Sequence, residues 1–278
     1  MHDIETVEDA VAPALEPPAL AAPDPAALAS LRPGEVHVLG PYAVPGLAPR
    51  RVRVYLPRDT TPEEPRHLLV MFDGQNLFDD APSYAGGWRL HAAVEKLARA
   101  RRTAPIVAGI DHGGTARIGE LSPFPVRGEP GRLDLLLDWT VGTLLPALAA
   151  AYPLHPSLAG TIVGGSSMGG LAALYAHFRH PEAFGGALAM SPALWVAGGA
   201  LLDDLAARPN PPVSRIYLDC GAREGRGTAR PLAAALADQL VGRGYGPNRL
   251  LWRCDSRGTH SETSWRRRLP QALRFFYR

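Results

Sequence analysis

Thr161-Ile162-Val163-Gly164-Gly165-Ser166-Ser167-Met168-Gly169 is the stretch that decides the fold of this chain. Its apolar, β-branched start predicts a buried strand, and the Leu- and Ala-rich run from 171 to 176 predicts a helix. The G-x-S-x-G pattern between them predicts a tight strand-to-helix turn, in which the glycines let neighbouring backbones pass close to a strained serine. A serine held clear of its own backbone in this way is a candidate nucleophile, and that serine is Ser167.

A base for this serine is expected downstream, because in strand-turn-helix nucleophiles of this kind the acid and then the histidine follow the serine. Only His177, His180 and His260 do so. The first two lie on the helix that starts at the serine, and a rise of about 1.5 Å per residue carries them roughly 15 Å or more from its hydroxyl. His260 instead lies in a loop between a strand candidate and a helix candidate, where an imidazole can reach a neighbouring strand end. The sequence therefore predicts His260 as the base.

The acid that orients the histidine has three candidates. Glu224 lies in the glycine-flanked loop Gly221-Ala222-Arg223-Glu224-Gly225, which can turn a carboxylate back toward an imidazole. Asp219 ends the preceding strand candidate, and Asp255 lies a few residues before the histidine in the same loop. The loop geometry favours Glu224 and leaves the other two open.

Two backbone amides are candidates for an oxyanion site. The amide of Met168, directly after the serine, is one of them, and the second is expected in the loop after an earlier central strand. The run from 68 to 72 is such a strand, and Asp73-Gly74-Gln75-Asn76-Leu77-Phe78 follows it. Gly74 is expected to permit the unusual turn that aims an amide inward.

Four motifs in one order carry a family resemblance. They are Asp73-Gly74-Gln75-Asn76-Leu77-Phe78, Gly165-Ser166-Ser167-Met168-Gly169-Gly170, Ser191-Pro192-Ala193-Leu194-Trp195 and Gly258-Thr259-His260-Ser261-Glu262-Thr263-Ser264-Trp265. Together they resemble the putative esterase family of α/β-hydrolases, which includes ferric enterobactin esterases, esterase D and feruloyl esterases. The resemblance runs from about residue 36 to the C-terminus.

The resemblance implies a role for each matching position. The nucleophile falls on Ser167, the base on His260 and the acid of the feruloyl esterase branch on Glu224. The oxyanion amides fall on Gln75 and Met168. The implied activity is that of a serine esterase, which hydrolyses carboxylic esters through an acyl-enzyme. The alternatives are an acyltransferase with the same triad and a non-catalytic binding protein on the same fold.

One element departs from the family pattern. Family members often carry R-x-x-E-Y-x-P after the fourth strand, and the matching stretch here reads Arg117-Ile118-Gly119-Glu120-Leu121-Ser122-Pro123. The aromatic ring is replaced by Leu121, so a substrate contact inherited at that position is in doubt. The aromatic residues nearest the motif loops are the candidate pocket walls, with core packing as the alternative reading. They are Phe78, Trp88 and Trp195.

The composition predicts one α/β-hydrolase domain over residues 34–278, with a mainly parallel central sheet and helices on both faces. The predicted helix before the nucleophile strand runs from Leu133 to Tyr152. The strand candidates are Val52 to Leu56, Leu68 to Phe72, Pro105 to Ile110, Gly160 to Gly164, Ala187 to Met190, Ile216 to Cys220 and Leu250 to Cys254. Residues 1–33 are rich in Ala and Pro and acidic, with no Lys or Arg before Arg32, which predicts a flexible arm.

The expected partner is a small-molecule ester substrate, because charge and targeting features favour neither nucleic acid nor a membrane. The arginines are scattered, so no nucleic-acid partner is expected, although a basic rim is a hypothesis for attracting anionic substrates such as aryl acids or siderophore complexes. The chain start lacks the basic and apolar pattern of a secretory signal, and no run is expected to span a membrane, which predicts a cytoplasmic protein.

Cys220 and Cys254 are expected to be free thiols. No spacing suits a metal or a phosphate-binding loop, so no cofactor is expected; the oligomeric state is left open.

Overall fold

An eight-stranded sheet forms the centre of the molecule. The computed structural model describes residues 19–100, 102–225 and 229–277. The strands are β1 (Val36–Val44), β2 (Leu47–Tyr55), β3 (Leu68–Phe72), β4 (Ile106–Ile110), β5 (Thr161–Ser166), β6 (Gly186–Met190), β7 (Arg215–Gly221) and β8 (Leu250–Asp255). Their spatial order is β1-β2-β4-β3-β5-β6-β7-β8. Every neighbouring pair from β4 to β8 is parallel, while β1 and β2 pair antiparallel with each other and β2 with β4.

Helices cover both faces of this sheet, as predicted. They are α1 (Pro25–Ala29), α2 (Leu90–Arg99), α3 (Arg117–Glu120), α4 (Leu133–Trp139), α5 (Leu145–Ala151), α6 (Met168–Arg179), α7 (Ala200–Ala207), α8 (Ala229–Gly242) and α9 (Glu262–Phe276). Alternate residues of β3 belong to two separate apolar clusters, one containing residues of α4 to α8 and the other residues of α2 and α9. A strand buried on both faces is a continuous apolar run, which is why the central strands were predictable from sequence. The arrangement is the α/β-hydrolase fold.

The first strand, β1, was not predicted. Its register with β2 shifts between Leu39 and Tyr42, where Gly40 has a positive φ of 89° and is followed by Pro41. Proline removes a ladder donor and the irregularity interrupts the alternation of exposed and buried side chains. The period of two that reveals an antiparallel strand is therefore absent from the sequence.

The predicted helix from Leu133 to Tyr152 is present as α4 and α5, joined through a π-helical turn (Thr140–Leu144). By length and composition alone, Leu133–Ala151 is long and apolar enough to cross a membrane, so the expectation that no run qualifies is wrong. Within the fold its apolar face is buried in the cluster shared with the sheet. The core helix of a folded domain has the same composition.

Part of the predicted N-terminal arm contacts the domain. Residues 1–18 lie outside the described residues, and most of residues 19–33 are exposed, but a few of them pack. Leu28 in α1 is only 1% exposed, and its carbonyl accepts a hydrogen bond from the Tyr152 hydroxyl. Leu20 forms a β-bridge with Tyr42. These few apolar residues find partners on α5 and β1, which an average over the composition of the arm does not reveal.

Candidate active site

The turn after β5 has the strained backbone expected of a nucleophile. Ser167 has φ 54° and ψ −119°, an unusual conformation for a non-glycine residue, and it caps the N-terminus of α6. Its amide donates to the Met190 carbonyl at 3.0 Å, and its carbonyl accepts from the Ala193 amide at 2.9 Å. A Cβ at Gly165 would lie 2.6 Å from the Gly169 backbone, so the turn requires glycine there. The hydroxyl thus lies at the positive end of a helix.

Three predicted side chains form one hydrogen-bonded line. The Ser167 Oγ lies 2.9 Å from His260 Nε2, and His260 Nδ1 lies 3.1 Å from Glu224 Oε2. Because a carboxylate only accepts, Nδ1 carries the proton, which leaves Nε2 free to accept from the serine. The imidazole side chain is 42% exposed, whereas the Glu224 side chain is 1% exposed. The serine end of the line therefore opens to solvent and the acid end is buried.

Glu224 is held by a network that the sequence did not reveal. Its Oε1 accepts from the Gly221 amide and from the Ser191 hydroxyl, both at 2.7 Å. The Ser191 Oγ in turn accepts from Trp265 Nε1 at 3.0 Å and from Arg268 Nη2 at 2.7 Å. Ser191 and Trp265 belong to motifs quoted above, but only the fold shows that the two motifs meet beneath the acid.

The pKa of Glu224 reflects this network. Burial by itself raises the pKa of the carboxyl, but hydrogen bonds from His260, Ser191 and Gly221 outweigh it. The pKa therefore lies below the ordinary value, and the group is an anion at neutral pH. An anionic acceptor is what the Nδ1 proton of the imidazole needs as its partner.

The two rival carboxylates do not contact the imidazole. Asp219 is fully buried, accepts from the Ser191 amide at 3.0 Å and lies 2.9 Å from Arg268. Burial raises the pKa of Asp219 to about 6, although the nearby arginine opposes this. Asp255 pairs with Arg267 at 2.5 Å. Asp219 therefore supports the network from below, and Asp255 belongs to an ion pair at the edge strand.

The second predicted oxyanion loop has its strained residue one position earlier than expected. Asp73 has φ 59°, and a short 3₁₀ turn (Gly74–Asn76) follows it. Glycine is required at 74 for a different reason: a Cβ there would lie 2.7 Å from the Gly109 backbone. Arg117 Nε and Nη2 each donate to Asp73 at 2.6 Å, which stabilises the turn.

The backbone amides of Gln75 and Met168 are the two predicted oxyanion donors. Neither donates to a protein acceptor within the described residues. Met168 is the first residue of α6, where helix geometry leaves the amide without an intrahelical acceptor. The Gln75 side chain accepts from the His112 amide at 3.1 Å, which ties the loop after β3 to the loop after β4.

The segment that departs from the family pattern has a structural role. Glu120 forms a buried ion pair with Arg50 at 2.5 Å, and Leu121 is 2% exposed. Leucine at 121 therefore packs in the core and does not contact a ligand. Arg117 and Ile118, earlier in the same segment, line the cleft at the serine.

A cleft of about 460 Å³ opens at the exposed end of the triad line. It is lined by Asn76, Tyr84, His112, Gly114, Thr115, Arg117, Ile118, Ser166, Ser167, His260, Glu262 and Trp265. None of the three predicted pocket walls lines this cleft. Phe78 and Trp88 are 3% and 2% exposed within the core, and Trp195 is 64% exposed outside the cleft. Nearness to a motif loop in sequence does not tell which way a side chain faces. The exposed Tyr84, in the loop between β3 and α2, lines the cleft and was not predicted from the sequence.

Known proteins share this architecture and these motifs. Residues 48–276 match the family model described as putative esterase. An iron(III) salmochelin esterase of Escherichia coli O6:H1 is 34% identical over 146 residues, which is 51% of this chain and 32% of that protein. A siderophore triacetylfusarinine C esterase of Aspergillus fumigatus is 33% identical over 137 residues, 47% of this chain and 45% of that protein. The matched part thus spans less than half the length of either relative.

Solved structures agree with the fold. The enterobactin esterase of Shigella flexneri, solved in the presence of 2,3-di-hydroxy-N-benzoyl-glycine, has a TM-score of 0.69 at 25% identity, covering 93% of this chain and 61% of that one. The BES protein from Bacillus cereus has the same TM-score at 18% identity, covering 87% of this chain and 94% of that one, a likeness of fold. The match to the family model covers most of the chain and includes the nucleophile turn, the acid loop and the histidine loop. This chain therefore belongs to the putative esterase family.

Proposed function

We propose that this protein is a serine esterase that hydrolyses carboxylic esters through an acyl-enzyme. The observation that carries the proposal is the line from the Ser167 hydroxyl through His260 to Glu224, with its serine end open to the cleft. A serine becomes a nucleophile when an adjacent base accepts its proton and a third group orients that base. The three groups here have these relations.

The proposed reaction proceeds in two halves. Ser167 Oγ attacks the ester carbonyl carbon as its proton passes to His260 Nε2, and Glu224 stabilises the imidazolium. The amides of Gln75 and Met168 donate to the oxyanion. The leaving alcohol takes the proton from Nε2 as the carbon–oxygen bond to it breaks. Water then attacks the acyl-enzyme, gives its proton to Nε2, and the carboxylic acid leaves as Ser167 recovers its proton.

The relatives suggest a substrate class. The similar proteins include esterases of iron(III) salmochelin, iron(III) enterobactin and siderophore triacetylfusarinine C. We therefore propose an ester of siderophore type as the natural substrate. The cleft is large enough for part of such a molecule, with the reacting ester at Ser167 and the remainder outside.

Labelling with a fluorophosphonate probe, together with turnover of a panel of p-nitrophenyl esters, tests the proposal. We expect labelling of the wild-type chain, and none of Ser167→Ala or His260→Ala. Ser214→Ala is the matched control, because this serine also contacts a histidine, at 2.6 Å, but is 4% exposed. It should label like wild type. A folded wild-type chain that neither labels nor turns over any ester would refute the esterase proposal and favour a binding protein on the same fold.

A further inference from the structure

Glu262 is a mostly buried acidic residue that lines the cleft and forms no hydrogen bond or ion pair within the described residues. It begins α9, two residues after His260, lines the cleft and is 8% exposed. A carboxylate on a mostly buried residue is screened less by water than one at the surface. A ligand group that compensates this charge would therefore gain more here than at the protein surface.

The other charges around the cleft are already neutralised within the protein. Arg117 is the only Lys or Arg among the described residues that line the cleft, and two of its nitrogens are bound to Asp73. Two further ion pairs lie around His112: Arg50 with Glu120, and Arg53 with Asp111. Each pair sums to zero formal charge, so the negative charge of Glu262 is the excess in this region.

Neither histidine of the cleft offsets that excess in the resting protein. Burial lowers the pKa of His112, so it is uncharged at neutral pH, and its Nδ1 accepts from the Gly114 amide at 3.0 Å. His260 already has the Glu224 carboxylate as its partner, 3.1 Å from Nδ1. The hypothesis of a basic rim that attracts anions therefore finds no support at the cleft itself.

The charges of Glu262 and Arg117 also interact, but the two groups do not form an ion pair. Burial lowers the pKa of Arg117, and its hydrogen bonds to Asp73 and the charges of Asp73 and Glu262 more than offset that effect. No ion pair joins Arg117 and Glu262. Both side chains line the cleft, so a ligand there can contact either of them.

We propose that Glu262 is a specificity-determining residue, which favours esters that carry a cationic group near the reacting carbonyl over esters that carry an anionic group. This inference rests on the proposed esterase function and names the charge of the substrate group that lies inside the cleft, beside the reacting ester. The remainder of a siderophore-type substrate, with its own charge, would lie outside the cleft. The cation would lie against the Glu262 carboxylate while the ester carbonyl lies at Ser167. An anionic group in the same place would meet an unscreened like charge.

Three p-nitrophenyl esters of similar size test the inference: a trimethylammonio-butanoate, its neutral tert-butyl isostere and the half-ester of adipate. The quantity measured is kcat/KM for each ester with wild type, Glu262→Gln and Glu63→Gln. Glu63 is an exposed carboxylate outside the cleft, so its variant loses the same charge at a distant place.

We expect wild type to prefer the cationic ester over the anionic one by about tenfold, and Glu262→Gln to remove most of that preference. The effect depends on charge, so added salt should weaken it in wild type. Glu63→Gln should keep the wild-type ratio. If Glu262→Gln does not fold, the salt dependence of the wild-type ratio decides the question.

The outcomes separate this inference from the function on which it rests. Turnover of all three esters with no charge preference, a preference for the adipate half-ester, or an unchanged ratio in Glu262→Gln overturns the inference and leaves the esterase intact. No turnover of any ester and no fluorophosphonate labelling of the folded chain overturns both.

Discussion

Two serine–histidine hydrogen bonds lie at opposite edges of the same sheet. At the carboxyl edge, Ser167 after β5 lies 2.9 Å from His260. At the amino edge, Ser214 just before β7 lies 2.6 Å from His177. The second contact is the shorter of the two. It nevertheless lacks the other features that are expected of a nucleophilic serine.

The differences are in access, in the third group and in the backbone. His177 is fully buried, and its Nδ1 donates to the Phe184 carbonyl where His260 has a carboxylate. Burial lowers the pKa of His177 to about 4, so the imidazole is a poor acceptor for a serine proton. Ser214 is not among the residues with a positive φ. A short serine–histidine distance is therefore not a catalytic site; a carboxylate partner and an opening to a cleft distinguish the first pair.

Replacing the two histidines gives the largest expected contrast. His260→Gln should lower kcat/KM roughly 10⁴-fold, because the serine loses its base. His177→Gln should leave kcat/KM within about threefold and lower the free energy of unfolding by about 1–3 kcal/mol, because a buried hydrogen bond is lost. Ester kinetics and urea unfolding measure the two effects. Equal losses of kcat/KM in two folded variants would break the comparison.

The carboxylate partner is tested by Glu224→Gln. We expect kcat/KM to fall roughly 10²–10⁴-fold, because an amide does not stabilise the imidazolium and permits the wrong tautomer. The lowered pKa of Glu224 means that its ionised form adds stability above pH 4.5, and that this contribution is lost as the pH falls through the lowered value. The stability difference between wild type and Glu224→Gln should therefore shrink below pH 4.5. A difference that stays constant across that range would contradict a native-state pKa below the ordinary one.

Ser191 and Ser214, both buried, provide a matched pair of substitutions with a smaller expected effect. Ser191→Ala and Ser214→Ala each remove a hydroxyl with several partners and should each lower the free energy of unfolding by about 1–3 kcal/mol. Only Ser191→Ala should also lower kcat, by roughly tenfold at similar KM, because Glu224 loses one of its donors. An equal loss of kcat in Ser214→Ala would show that both substitutions lower kcat by loosening the fold as a whole.

The cleft wall should give the smallest effect. Tyr84 is 92% exposed and lines the cleft, and an aromatic contact is worth roughly 0.5–1.5 kcal/mol, so Tyr84→Ala should raise KM by about two- to tenfold. Trp195→Ala is the control, since this exposed ring lies outside the cleft. Equal KM values for wild type and Tyr84→Ala across the ester panel would place the substrate elsewhere.

Much of the fold followed from local sequence. The buried strands β3 to β7 are short apolar runs, and the glycines at 165 and 169 permit the turn that exposes Ser167. β1 was not predicted, because Gly40 and Pro41 interrupt its alternation of exposed and buried side chains. Composition predicts a flexible arm that includes residues 19–33, because an average over the segment hides the few apolar side chains that pack.

The role of a site residue was predictable where it depends on local backbone geometry. It was unpredictable where it depends on the direction in which the side chain points. Asp219 and Glu224 are five residues apart, and only the packing of β7 against β6 and α9 directs one to Arg268 and the other to His260. Phe78 and Trp88 face the core although they adjoin a motif loop.

The sequence by itself determined the strand-turn-helix at Ser167, the family and the order of the three motif loops, because these depend on neighbours along the chain. Only the tertiary structure decided which carboxylate meets the imidazole, which rings form the cleft and which charge there lacks a partner. Those relations join loops that are far apart in sequence, and the order of strands in the sheet sets the distances between them.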